Sequence, residues 1–361
     1  MSMPAILPLP ASVEDLDPSW LSAALHASGA LDGAGAVNGV RPERIALETG
    51  FSSELYRLHL DGDHGVPASV VVKLPTCTVV REAMDLVGGY AREVAFYREI
   101  AGKAPLGTPQ AYLTAIASEG TDFVLVLEDL TGWDNGDHYV GLSLERARVC
   151  VAELAGLHAW STEPSNASVV GAFPSLDTPV ARRVFPALFA EGWQVYRAHA
   201  RREISAPVAA YAERFGEHAA VALAALTERR MLVHGDIRAD NVFFRGDRVA
   251  VVDFQLTARA SGLVDIGYLL SQGLSTAERG GRDEQLVREY LELLSDRGVD
   301  DYWFDHAWRD YRLAVALFLL FPVIAIRGWD LLPERSRELC LRLIERSIAT
   351  IEEIDALAVF A

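Results

Sequence analysis

The feature that most constrains this chain is the run Val233-His234-Gly235-Asp236-Ile237-Arg238-Ala239-Asp240-Asn241, followed by the apolar strand Val249 to Val252 and then Asp253-Phe254-Gln255. It reads as strand, loop, strand, turn, strand. That pattern seats Asp236, Asn241 and Asp253 at the ends of short β elements, where loops carry function on rigid support. A carboxylate able to act as a base thus precedes an amide and a second carboxylate, oxygen donors of the kind hard cations take.

The rest of the composition narrows the partners. At 361 residues, half of them hydrophobic, the chain can bury one large core or two modest ones, and a two-lobed arrangement fits. Lys+Arg 33 against Asp+Glu 50 gives a formal net charge of -17. That charge repels a phosphate backbone, which argues against nucleic acid and favours a cationic or neutral small molecule. Cys77, Cys150 and Cys340 are scattered and odd in number, so neither a disulfide framework nor a zinc site is expected, and a reducing cytoplasm is the default. The start Met1-Ser2-Met3-Pro4 lacks a basic n-region, so no signal peptide is read. The longest apolar stretch, Leu313 to Ile326, contains Pro322 and is too short for a bilayer, so it is expected to be a core helix and not a membrane span.

Along the chain, Asp17-Pro18 predicts an N-cap and first helical position, opening a short amphipathic helix. Arg44 to Leu47, Glu54 to Leu60 and Ala68 to Leu74 predict an antiparallel meander of strands. Leu86, Tyr90, Val94, Tyr97 and Ile100 predict one helix over Met84 to Ile100, and Ala111 to Ala117 and Phe123 to Leu127 predict two more strands. Leu130 to Tyr139 loses periodicity and marks a boundary. Beyond it helices are expected over Leu144 to Trp160, Pro179 to Glu203 and Pro207 to Glu228, with a loop from Ser161 to Asp177 and four helical segments after Asp265, ending with Pro333 to Phe360.

His234, Asp236 and Asn241 at this spacing, with Asp253-Phe254 downstream, resemble the catalytic core of the protein-kinase-like superfamily. Gly235 after the histidine, and Gln255 leading on to Asp265-Ile266-Gly267-Tyr268-Leu269-Leu270, resemble its small-molecule branch, which holds the aminoglycoside phosphotransferases, choline kinases and ecdysteroid-kinase-like proteins. Leu154-Ala155-Gly156-Leu157-His158-Ala159-Trp160 is similar to the same family. Protein kinases usually carry Arg after the His and Gly after Asp-Phe, and no A-P-E segment frames an activation loop here. The resemblance implies an α+β, bilobal fold. Its N-lobe, residues 1–128, would bind nucleotide with a small antiparallel sheet and one main helix; its C-lobe, residues 129–361, would be mostly helical and carry the catalytic loop and the acceptor-binding helices.

The implied chemistry is transfer of a phosphoryl group from ATP, with Mg²⁺, to a hydroxyl of a small organic molecule, by a monomer or homodimer. Asp236 would be the base and Arg238 would neutralise the transferring group, although a lone arginine also reads as a solvated surface pair. Asn241 and Asp253 would hold the metal. Lys73 closes an apolar strand, where lysines often just snorkel, yet with Glu93 on the following helix it matches the pair that positions nucleotide phosphates. Gly50, Ser52 and Ser53, in the turn between the first two strands, would cover phosphates, though a plain hairpin turn reads nearly as well. Val126-Leu127-Glu128-Asp129 would be the hinge whose backbone groups meet adenine, with Glu128 and Leu130 counted among the nucleotide-binding residues. His234 reads as a loop anchor, His158 as a core contact and Asp265 as a cap that braces the loop. Acceptor specificity would come from Trp193, Tyr196, Tyr211, Tyr302 and Trp303; Asp300, Asp301, Asp305 and Asp310 read as a solvated helix start. Two alternatives stand beside this reading: an antibiotic-inactivating aminoglycoside phosphotransferase, and a non-catalytic kinase fold used as a binding module.

Overall fold

A computed structural model of the protein describes residues 7–45, 53–76, 79–118, 120 and 122–361. The chain divides into two compact units. The first comprises Met1–Lys103, Gly107–Trp133 and Ala250–Leu256; the second comprises Ala104–Leu106, Asp134–Val249 and Thr257–Ala361. The division expected after residue 128 therefore falls after Trp133, and two short segments belong to the unit opposite to their neighbours in sequence. Asp253 lies in one of these, so it goes with the sheet unit although it follows the loop of Asp236 in the chain.

The first unit opens with helix α1, Pro18–Ala27, capped as expected: the Asp17 carboxylate accepts the Trp20 N–H at 2.8 Å. Strands β1 (Val37–Ile45), β2 (Ser53–Gly62) and β3 (Ser69–Pro75) lead to helices α2 (Val79–Val87) and α3 (Gly89–Glu99), then β4 (Ala111–Ile116) and β5 (Phe123–Glu128). The strands form one antiparallel sheet in the order β1-β2-β3-β5-β4. Leu21, Leu25, Leu58, Val70, Val72, Leu74, Val124 and Val126 build its core with α1. Alternation along β3 sends Val70, Val72 and Leu74 into that core and Lys73 to the opposite face.

Two expectations change here. The helix read over Met84 to Ile100 is two helices, because Gly88 takes a left-handed conformation (φ 66°) that ends one and starts the other. The first strand begins at Val37, well before Arg44. Thr49, Gly50, Phe51, Ser52 and Cys77 lie outside the described residues.

The second unit holds β6 (Asp134–Asn135), α4 (Leu144–Thr162), α5 (Ala167–Gly171), α6 (Pro179–His199), α7 (Ala206–Glu213) and α8 (Phe215–Leu226) before the short strands β7 (Met231–Val233), β8 (Val242–Arg245), β9 (Arg248–Val251) and β10 (Ala258–Ala260). The division between the units falls within β9. Helices α9 (Leu263–Gly273), α10 (Thr276–Arg279), α11 (Asp283–Ser295), α12 (Phe304–Phe318), α13 (Leu320–Ala325) and α14 (Glu334–Glu353) complete it. Five helices thus follow α9 where four were expected, and α5 interrupts the segment read as a loop. The apolar stretch also differs: Phe304–Gly328 is 25 residues, long and apolar enough by length and composition to cross a membrane, and 67% of its most apolar window is buried inside the protein, as in a core helix. Cys150 and Cys340 are free and buried.

The aromatic residues expected to meet an acceptor are mostly core. Phe189, Trp193 and Tyr196 recur at helical spacing on α6 and are buried together, with Phe189 stacked on Phe215. Tyr211 and Tyr302 are buried as well, and of the five only Trp303 is exposed. Three of the acids around it have partners: Asp300 accepts from Ser295, Asp301 pairs with Arg229, and Asp310 accepts from Tyr302.

Candidate active site

In the sheet unit, Lys73, Glu93 and Asp253 form one cluster. The Lys73 ammonium lies 2.7 Å from Glu93 Oε2 and 3.0 Å from Asp253 Oδ1, with Lys73 and Glu93 both buried. The alternation of β3 delivers the lysine, and α3 presents the glutamate. Asp253 comes from a turn that its neighbours hold: Phe254 is fully buried, stacked on Phe96 at 3.5 Å between ring centroids and edge-on to Tyr97. Asp253 itself has φ 70°, a left-handed conformation that costs a non-glycine residue about 1 kcal/mol or more and is found where surroundings over-determine the backbone.

The charges are unequal, one cation against two carboxylates. Burial works to discharge Lys73, but Asp253 and Glu93 outweigh it and hold the ammonium above the usual lysine range. Glu93 is raised by burial and by its like-charged neighbour Asp253, against the pull of Lys73 and a hydrogen bond from Gln255. The cluster therefore keeps its cation at neutral pH.

Elsewhere in this unit, Glu128 pairs main chain and carboxylate with Gln110 (Glu128 N to Gln110 O 2.8 Å; Gln110 N to Glu128 Oε2 3.1 Å), and Leu130 is buried. Between them Asp129 accepts from Arg57 at 2.9 Å, Ser69 at 2.6 Å and Thr131, which ties the segment to β2 and β3. Ser53, the first residue of β2, is buried and accepts a hydrogen bond from Gln255 at 3.1 Å.

In the second unit, the loop after β7 holds Asp236, Arg238 and Asn241. Gly235 has φ 82°, so a side chain there would be strained. The fully buried Asp265 of α9 accepts the N–H groups of His234 (2.7 Å) and Gly235 (2.8 Å) and also faces His158 Nε2 at 3.1 Å, while His158 Nδ1 meets the Tyr290 hydroxyl at 2.9 Å. The expected brace and core histidine are thus one network. Asp236 N–H donates to His234 Nδ1 at 3.1 Å, so the ring accepts there and carries its proton on Nε2. Asn241 Nδ2 donates to Asp236 O at 2.9 Å, which leaves the amide oxygen as the end for a cation.

A strap closes the loop from the other side. Asn135 Nδ2 donates to Asp240 O (3.0 Å) and Val242 O (3.2 Å), and Asp240 accepts His138 N–H at 2.8 Å. A Cβ on Gly136 would stand 2.3 Å from Ala239 O, so only glycine fits. The Asp236 carboxylate is 21% exposed and lies 3.8 Å from Arg238 Nε, and its charge adds to burial in holding the phenol of Tyr268 well above its usual range. Sequence reasoning assigns Tyr268 no role; its only signal is its place in the apolar run after Asp265.

Asp253 in the sheet unit carries a carboxylate and Asn241 in the second unit an amide oxygen, each by itself a hard donor of the kind magnesium takes. Among the described residues no three His, Cys, Asp or Glu side chains gather into a ready-made metal cage.

No curated protein matches the chain. Solved structures share its fold: a choline kinase from Cryptosporidium parvum (TM-score 0.53, 11% identity, covering 88% of this chain and 90% of that one), the GDP complex of wild-type aminoglycoside 2'-phosphotransferase-IIIa (0.51, 16%, 87% and 93%) and a choline/ethanolamine kinase family protein from Mesorhizobium loti (0.50, 18%, 90% and 92%). The family model of the ecdysteroid kinase-like proteins matches residues 48–298, which take in Lys73, Glu93, the Asp236 loop and Asp253. With that match over more than half its length, the chain belongs to the ecdysteroid kinase-like family.

Proposed function

We propose that this protein is an ATP-dependent phosphotransferase acting on the hydroxyl of a small organic molecule. The observation that carries the reading is the buried Lys73–Glu93–Asp253 cluster, a permanent cation held between a helix carboxylate and one on a left-handed turn. A structural lysine has no need of such a setting. In this reading Lys73 binds phosphate oxygens of ATP and Glu93 fixes its position, while Asp253 and Asn241 would hold magnesium, which when bound would neutralise charge on the phosphates.

Asp236 orients the acceptor hydroxyl and takes its proton on a carboxylate oxygen. The acceptor oxygen forms a bond to the γ-phosphorus as the bond to the β–γ bridging oxygen breaks, and ADP leaves. Arg238, beside Asp236, balances charge on the group in transit. The sheet unit is the nucleotide-binding half and the helices of the second unit supply the acceptor side.

The test is ADP release with Mg·ATP over a panel of hydroxylated acceptors: steroid-like and aliphatic alcohols, choline and ethanolamine, and aminoglycosides. Turnover on one class, lost in Asp236→Asn while Mg·ATP binding persists, is the expected result. Undiminished turnover in Asp236→Asn would overturn the assignment of the base. Mg·ATP binding without turnover on any acceptor would make the protein a binding module.

A further inference from the structure

Gln255 stands where protein kinases usually carry glycine, and none of the roles above uses it. Its side chain is buried, 4% exposed, immediately after the turn that holds Asp253. Nε2 donates to Ser53 Oγ at 3.1 Å, and the side chain also acts on the Glu93 carboxyl, where it opposes the upward push of burial. Gly89, at the start of α3, lies close by: a Cβ built there would be in ordinary contact, 3.5 Å, with both Cβ and O of Gln255.

One side chain therefore joins the first residue of β2, the glutamate of α3 and the Asp253 turn, all within the sheet unit. Glycine could make neither contact. We infer that Gln255 is a positioning residue for nucleotide binding: through Ser53 and Glu93 it locks the Lys73–Glu93–Asp253 cluster in a single arrangement. The inference rests on the reading of that cluster as the grip on ATP phosphates. It implies that the Asp253-Phe254 turn does not flip between working and resting positions, because a flip would take from Gln255 its bond to the buried Ser53 hydroxyl.

The experiment is a double-mutant cycle on the full chain, Gln255→Ala, Ser53→Ala and the pair, read as KM for ATP, KM for the acceptor and kcat. Gln255→Ala is expected to raise KM for ATP about tenfold and Ser53→Ala about threefold, with KM for the acceptor unmoved. The double variant should be no worse than Gln255→Ala alone, since both changes remove the same bond. A wild-type KM for ATP in Gln255→Ala, an equal rise for both substrates, or effects that simply multiply would each overturn the inference. Should Gln255→Ala not fold, Ser53→Ala decides, because it removes one oxygen and must still separate the two KM values. If the wild-type chain binds Mg·ATP without turnover, the same cycle is read as Kd by calorimetry; the transferase reading then fails while the inference stands or falls on those constants. If the wild type binds no nucleotide, both fall.

Discussion

The two polar clusters are held by opposite means. Lys73, Glu93 and Asp253 hold one another by direct charge, packed on a buried aromatic stack. The loop of Asp236 is held through its backbone, Asp265 accepting two N–H groups, His234 one more, and Asn135 and Asn241 tying carbonyls. The difference follows from what each group has to keep. A buried lysine stays cationic only if carboxylates surround it, whereas the Asp236 carboxylate, proposed above to meet an acceptor hydroxyl, belongs to a loop fixed through its backbone and keeps its own oxygens partly exposed.

The largest effect that can break this contrast is chemical. A positioned base is worth ~10²–10⁴ in rate, and loss of a metal ligand removes alignment and charge neutralisation together. Asp253→Ala is therefore expected to lower kcat at least as far as Asp236→Ala, in single-turnover runs at saturating Mg·ATP. A nearly active Asp253→Ala enzyme would refute the metal assignment.

Next comes the charge scheme itself. Lys73→Met strands two carboxylates, one of them fully buried, and is expected to cost about 3–5 kcal/mol in denaturant unfolding. Adding Glu93→Leu should recover much of that stability and none of the activity. If the double variant is as unstable as the single, charge pairing is not what holds the cluster.

Asp265→Ala leaves two buried N–H groups and His158 without their acceptor, and about 3 kcal/mol of stability should be lost together with activity. Asp265→Asn keeps one acceptor oxygen and should fall between. Tyr268→Phe removes only the hydroxyl that feels the charge of Asp236, so about a tenfold drop in kcat with unchanged KM for ATP is expected. An unchanged kcat would show that the phenol packs without positioning the base.

The smallest effect sits at the edge of the sheet unit. Burial would raise Asp129, but hydrogen bonds from Ser69, Arg57 and Thr131 hold it below the usual carboxylate range. A depressed folded-state value means the stabilisation is present above the unfolded value, roughly pH 4, and is lost as pH falls through the lower folded one. Asp129→Asn should therefore cost about 1–2 kcal/mol at neutral pH, and the gap from wild type should narrow in acid unfolding curves below about pH 4.

Much of this was legible in the residues alone. Lys73 on a half-buried strand, the cap at Asp17, the sheet followed by helices, and the loop from His234 to Asn241 all follow from local spacing, because side-chain alternation and capping act over a few residues. What the residues could not reveal is every partner brought in by distance along the chain. Asp265 under the loop, Tyr268 on Asp236, Gln255 between Ser53 and Glu93, and the burial of Trp193, Tyr196 and Tyr211 are decided by packing between elements far apart in sequence. The same holds for Asp253, which local order would group with Asp236 and which the fold assigns to the sheet. Periodicity sets which face of an element is apolar; only tertiary structure sets what that face, or a buried polar atom, is given to meet.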